Sequence, residues 1–129
     1  MCGIGGIYMV GNGLLPTAQT EAMFKALDDR GGHASGVAWL WQDSDKPLVF
    51  KGARTASSIS TQAMAKVGLK VRYAMFHTRY TTQGSTSNNG NNHPIVGHGI
   101  TLTHNGVLQN DREVFRTLGV KRLHEVDSE

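Results

Sequence analysis

The sequence holds a single cysteine among its 129 residues, so no intrachain disulfide framework can form. No run approaches the ~18 consecutive apolar residues that a membrane-spanning helix needs. The first residues lack the basic start and apolar stretch of a signal peptide. A soluble, cytoplasmic protein with no membrane partner is expected. Net charge is only +3 and the basic residues are scattered. Their closest groupings, Lys70 with Arg72 and Lys121 with Arg122, do not form a stripe that could track phosphates, which argues against nucleic acid. The six histidines lack His-Glu-x-x-His or paired-Cys spacing. His93 and His98 could share a loop site, but no metal and no cofactor are expected. No internal repeat and no domain linker divide the chain.

What remains fits one domain, large enough to bury a core without staples. Gly3 to Val10 is apolar and Gly-rich and predicts a first strand, closed by the turn Gly11-Asn12-Gly13. A helix follows from about Thr17 to Asp29, with Ala22, Met23, Ala26 and Leu27 at core-facing spacing, stopped by Gly31-Gly32. Gly36–Trp41 and Leu48–Lys51 flank the polar turn Gln42–Pro47 and predict a hairpin. A second helix is expected over about Ser58–Val67, with Ile59, Ala63 and Val67 on one side. Val71–Thr78 predicts a strand ending at His77-Thr78-Arg79. Gln83–Asn92 has no apolar residue and is expected to be a solvated loop. Ile100–His104 predicts a short strand, and Asp111–Leu118 a last helix. Asn110 is its candidate N-cap, with Glu113 placed for a capping-box contact. Val126 to Glu129 suggests a strand exit and the start of a further helix.

Cys2 is the residue that invites chemistry. A lone cysteine is most often a small buried hydrophobe, but position 2 is an unnatural place for a core residue. A thiol attacks as thiolate, and free Cys has a pKa of ~8.5, so it needs a base. Loss of Met1 would give Cys2 its own α-amine, with a reference pKa of about 7.7–8.0. His104-Asn105-Gly106 is a second element. Alone it reads more readily as a plain Asn-Gly turn than as an amide and a Gly N–H aimed at a developing oxyanion. The third is His77 to Gly84, where a strand opens into a loop. Arg79 there could pair bidentately with a carboxylate, or simply lie on the surface.

Together these elements resemble the class II glutamine amidotransferases, a branch of the N-terminal-nucleophile hydrolases. Met-Cys-Gly-Ile-Gly-Gly-Ile at the start is similar to the family's Cys-Gly-Ile-x-Gly opening. The segment from Arg30 to Gly36 resembles Arg-Gly-x-Asp-x-x-Gly, and His77 to Thr82 resembles His-Thr-Arg-Trp-Ala-Thr. Asn92-His93-Pro94, His104-Asn105-Gly106 and Asp127-Ser128-Glu129 resemble Asn-x-His-Pro, His-Asn-Gly and Asp-[Ser/Thr]-Glu. The motifs occur in family order and cover nearly the whole chain.

The resemblance implies an α+β, four-layer αββα sandwich, complete or cut short. It implies glutamine as substrate, with hydrolysis of the side-chain amide through a cysteinyl thioester. Cys2 would be the nucleophile and Asn105 with Gly106 the oxyanion hole. Arg79 would hold the α-carboxylate and Asp127 the α-ammonium. Tyr80, Thr82, Gly84 and His104 would line the substrate pocket, with Arg30 and His93 supporting it. Ammonia would pass to a synthase or complementing subunit, and a homo-oligomer is an open expectation.

Three departures from the pattern stand out: His33 in place of Asp, Tyr80 in place of Trp, and Gln83 where His is common. Family domains also continue past the Asp-[Ser/Thr]-Glu segment, which suggests incomplete sheets and weak activity for this chain alone. Two alternatives stay open. One is a weak or inactive amidotransferase-like binding module, since a retained Met1 would block the amine. The other is a peptidase, which a pair of residues reading both α-groups of a free amino acid argues against.

Overall fold

The computed structural model describes residues 1–68 and 70–129. Its centre is an antiparallel four-stranded sheet in the order β1-β4-β2-β3, formed by β1 Gly3–Tyr8, β2 Ala34–Trp41, β3 Leu48–Gly52 and β4 Val71–Arg79. Helices α1 (Thr17–Ala26) and α2 (Ala56–Ala65) cover one face. The fold is therefore α+β, as expected.

Alternation along the strands decides which side chains meet the helices. Val37 and Trp39 from β2, and Ala74 and Phe76 from β4, point into a core closed by Phe24, Ile59 and Ala63. Phe76 stacks on Phe24 at 5.3 Å between ring centroids and meets Trp39 edge-on at 5.5 Å, both favourable aromatic geometries. Helix α2 starts where its orphan amides find acceptors. Thr55 Oγ1 accepts from Ser58 N, and the Asp28 carboxylate accepts from Ala56 N at 2.7 Å and Ser57 N at 2.8 Å.

The other face of the sheet meets later segments of the chain. A hairpin of β5 (Ile95–Gly97) and β6 (Ile100–Leu102) leaves a cavity against Ala38, Leu40 and Tyr73. Its two-residue turn, His98-Gly99, has φ of 52° and 78°, the left-handed pair a type I′ turn requires. Helix α3 spans Asp111–Leu118 and is followed by an irregular tail. Gly36 lets the chain come back onto this face, because a Cβ there would run into the carbonyl oxygen of His93.

Several expectations need correction. The helical part of α1 ends at Ala26, with a 3-10 turn over Leu27–Asp29. Its buried stripe is Thr20 and Phe24, whereas Ala22 and Ala26 are exposed. Ala is ambivalent about burial, and the Thr20 hydroxyl becomes buriable by donating to Pro16 O at 2.8 Å. The 83–92 segment is not wholly solvated. Asn91 and Asn92 are fully buried, because their amides serve main-chain groups that have no other partner nearby. Asn110 makes no side-chain cap, and β6 stops at Leu102. The tail from Val126 forms neither strand nor helix.

Candidate active site

One cleft at the end of β1 and β4 is lined by Cys2, Arg79, Tyr80, Thr82, His93, His104, Gly106 and Asp127. Antiparallel pairing of Gly3 with Thr78 sets Cys2 beside Tyr80. The approach is tight: a Cβ on Gly3 would lie 2.6 Å from Thr78 Oγ1, so only glycine fits. Cys2 Sγ accepts from Tyr80 N at 3.4 Å and lies 3.7 Å from Tyr80 O. Gly31 plays the matching part from below, since a Cβ there would come within 2.7 Å of Tyr80 N.

Asn105 reaches Cys2 from 103 residues away, with its Oδ1 accepting from Cys2 N at 3.2 Å. An amide whose oxygen is engaged this way leaves its NH2 free to donate. The segment that carries it is pinned at His104, whose carbonyl accepts from His77 Nε2 at 3.0 Å. A carbonyl only accepts, so His77 is the Nε2–H tautomer. At Gly106 a Cβ would come to 2.7 Å from His104 Nε2, so a side chain there would have to displace the His104 ring.

Asp127 and Ser128 fold back onto this segment. Asp127 Oδ2 accepts from Leu108 N at 2.6 Å, and Ser128 Oγ lies 3.1 Å from His104 Nδ1. His104 Nδ1 also lies 3.8 Å from Asp127 Oδ1. The tail thus holds Asn105-Gly106 from the far side.

Arg79 is only 4% exposed. Its Nη1 donates to Asn92 Oδ1 at 2.9 Å, and its Nη2 to the carbonyls of Gln83 and Gly84, the latter at 3.1 Å. Burial lowers its pKa, opposed by Cys2, Asp127 and Glu125. The guanidinium lines the cleft while it also holds the loop. Gly84 takes a φ of 67°, which glycine tolerates, and a Cβ there would lie 2.9 Å from the Asn91 amide.

The rings of His93 and His77 pack at 4.5 Å between centroids, tilted by 40°. Burial pushes His77 down to about 4 and His93 to about 3, so both rings are neutral at pH 7. Both ring nitrogens of His93 are buried without a partner among the described residues. Tyr80 is half exposed, and its ring lies tilted against that of His33 at 4.8 Å. His33 Nδ1 accepts from Thr81 N at 3.0 Å, so the imidazole supplies an acceptor where the family pattern has a carboxylate. Arg30 stays at the rim, where its Nη2 approaches Met1 Sδ at 3.9 Å.

The structure thus brings together Cys2, Arg79, Tyr80, Thr82, His93, His104, Asn105, Gly106 and Asp127, with Gly84 in the adjoining loop. Sequence reasoning gave no role to Asn91, Glu125 or Ser128. The run of asparagines without apolar neighbours was the available signal, because such a segment folds only if amides satisfy its backbone.

No family model matches the chain. By sequence it is similar to a class of enzymes, the aminotransferases that use glutamine. The particular relatives are glutamine–fructose-6-phosphate aminotransferases. That of Xylella fastidiosa (strain 9a5c) is 32% identical over 134 residues, covering 100% of this chain and 20% of the relative. That of Acidithiobacillus ferridurans is 34% identical over 112 residues, covering 85% of this chain and 17% of the relative. That of Helicobacter pylori (strain J99) is 31% identical over 110 residues, covering 85% and 17%. The chain spans about a fifth of the length of the curated relatives it matches.

Proposed function

We propose that this chain is a class II glutamine amidotransferase domain that hydrolyses glutamine to glutamate and ammonia, with Cys2 as N-terminal nucleophile. The observation that carries the reading is the bond from Cys2 N to Asn105 Oδ1. It sets a carboxamide donor beside the thiol, which a merely buried cysteine would not need. The whole-length likeness to glutamine-using enzymes supports the same reading.

After loss of Met1, the Cys2 α-amine takes the thiol proton and the thiolate attacks Cδ of glutamine. The oxyanion that forms receives hydrogen bonds from Asn105 Nδ2 and Gly106 N–H. The C–N bond breaks, and the nitrogen leaves as ammonia with the proton held by the amine. Water then adds to the thioester, which releases glutamate and restores the thiol. Arg79 and Asp127 would read the substrate α-carboxylate and α-ammonium, and His104 the pocket wall. Tyr80, Thr82 and Gly84 would form the lip over the substrate.

The layering would be that of the αββα sandwich, with α1, α2 and the four-stranded sheet as two of its layers. Ammonia would go to a synthase portion of the same or another polypeptide, for which the names of the relatives make a sugar phosphate the candidate acceptor. A reducing cytoplasm suits a catalytic thiol. The test is intact mass to locate the N-terminus, followed by glutamate release from wild type and Cys2→Ala. Turnover that survives Cys2→Ala would overturn the reading.

A further inference from the structure

Lys51 lies on β3, paired with Gly36 and outside the cleft. Its Nζ donates to the carbonyl oxygens of Asn92 at 2.5 Å and Pro94 at 2.9 Å. No carboxylate forms an ion pair with it among the described residues. A partly buried ammonium without a counter-ion is an expensive surface feature, yet here it spans two carbonyls on either side of His93. Gly36 makes room for this return of the chain: a Cβ there would lie 2.6 Å from Lys51 Cβ and 3.1 Å from Pro94 Cδ. Asn89 Nδ2 also donates to Lys51 O at 3.1 Å. The clamped segment is the one whose Asn92 Oδ1 holds Arg79 Nη1 in the cleft.

We propose that Lys51 is a positioning residue for glutamine binding: by holding the Asn92 and Pro94 carbonyls it fixes the Asn92 amide, and through it the orientation of the Arg79 guanidinium. This rests on the glutaminase reading above. The effect acts mainly on ground-state binding, because the hydrogen-bonded chain from Lys51 leads through Asn92 to Arg79, whereas the Asn105 segment is reached only through the packing of His93 on His77. It also has a pH signature, since burial holds the Lys51 pKa at about 8. Of the groups facing this segment, His77 and His93 are already neutral there and Arg79 stays charged. The Cys2 thiol and amine are common to wild type and Lys51→Arg, so the comparison of their two pH profiles isolates Lys51.

The test compares wild type, Lys51→Met and Lys51→Arg by steady-state kinetics, with glutamine binding to the Cys2→Ala background by calorimetry. Lys51→Met keeps the aliphatic stem and should raise KM and Kd for glutamine by roughly 5- to 20-fold, with kcat within about twofold. Lys51→Arg should restore most of the loss. Wild-type KM should climb above pH ~8, and the Arg variant should lack that component. If Lys51→Met does not fold, the pH comparison of wild type with Lys51→Arg decides alone. Equal KM and Kd in Lys51→Met and wild type, or identical pH profiles for Lys51→Arg and wild type, would overturn the positioning role. Cys2→Ala protein that binds no glutamine would overturn the glutaminase reading, and the Lys51 proposal with it.

Discussion

The Nε2–H of His77 donates to the carbonyl oxygen of His104 at 3.0 Å, and this bond ties β4 to the segment that carries Asn105. The same ring packs on His93. A neutral imidazole inside the domain thus links both walls of the cleft.

That burial makes stability depend on pH. His77 titrates at about 4 and His93 at about 3, both below the usual 6.5. The unfolded chain therefore binds more protons than the folded one between pH 6.5 and about 3. The stability is fully present above pH 6.5 and is lost as pH falls through that window, by on the order of 3 kcal/mol for His77 and about 5 kcal/mol for His93. Thermal melts from pH 7 to 4 should show Tm falling steadily. His77→Gln should flatten the acid limb, and an unchanged limb would remove His77 from its cause.

Arg79 should matter to the fold as well as to glutamine. Three acceptors lose their donor in Arg79→Met. We expect a loss of about 2–4 kcal/mol, together with a rise of at least ~10-fold in KM. Arg79→Lys should recover part of the stability and little of the binding, because one ammonium cannot serve a bidentate fork. Full stability in Arg79→Met would show that the loop does not depend on it.

Asn105→Ala tests the proposed oxyanion hole. Removing one such donor typically lowers turnover by ~10²–10³. We expect that loss in kcat with a small change in KM. An effect confined to KM would assign Asn105 to ground-state binding.

Gly36→Ala tests the close return of the 92–94 segment onto the sheet. The added methyl would meet the His93 carbonyl, and backbone cannot yield as a side-chain tip does. Overpacking of about 1–3 kcal/mol should lower Tm by roughly 5–10 °C. An unchanged Tm would mean that this contact is loose in solution.

Much of this was legible in the sequence. The strands β1 to β4 follow from apolar runs and turn residues, and the site motifs fall where strands end. What was missed has local causes. β5 is three residues long and directly follows a proline, and only its pairing across His98-Gly99 makes it a strand. The α1 stripe was misplaced because two alanines satisfied helical spacing without needing burial. Asn91 and Asn92 look solvated by composition, but their partners come from distant positions such as Glu125 and Arg79. Lys51 gave no signal at all, since its role depends on where residues 92 to 94 return to the sheet.

Asp127 separates two roles that the sequence alone could not divide. Its Oδ2 already accepts from Leu108 N at 2.6 Å, just beyond the proposed oxyanion hole. Its other oxygen faces Ser128 Oγ at 3.2 Å and the His104 ring. A carboxylate in this place can attract a substrate ammonium, and it also holds the Asn105–Leu108 turn in position. Asp127→Asn keeps an acceptor for Leu108 N but removes the charge. We expect it to raise KM by ~10-fold or more with kcat nearly intact, as loss of a charge-assisted contact predicts. Asp127→Ala frees the Leu108 amide and lets the turn shift, so kcat should fall as well. Displacements of ~1 Å at a catalytic group can cost 10²-fold. Steady-state kinetics on the two variants, side by side, makes the distinction. Equal kcat in both would assign Asp127 to substrate charge alone, and an unchanged KM in Asp127→Asn would leave it as a structural tie.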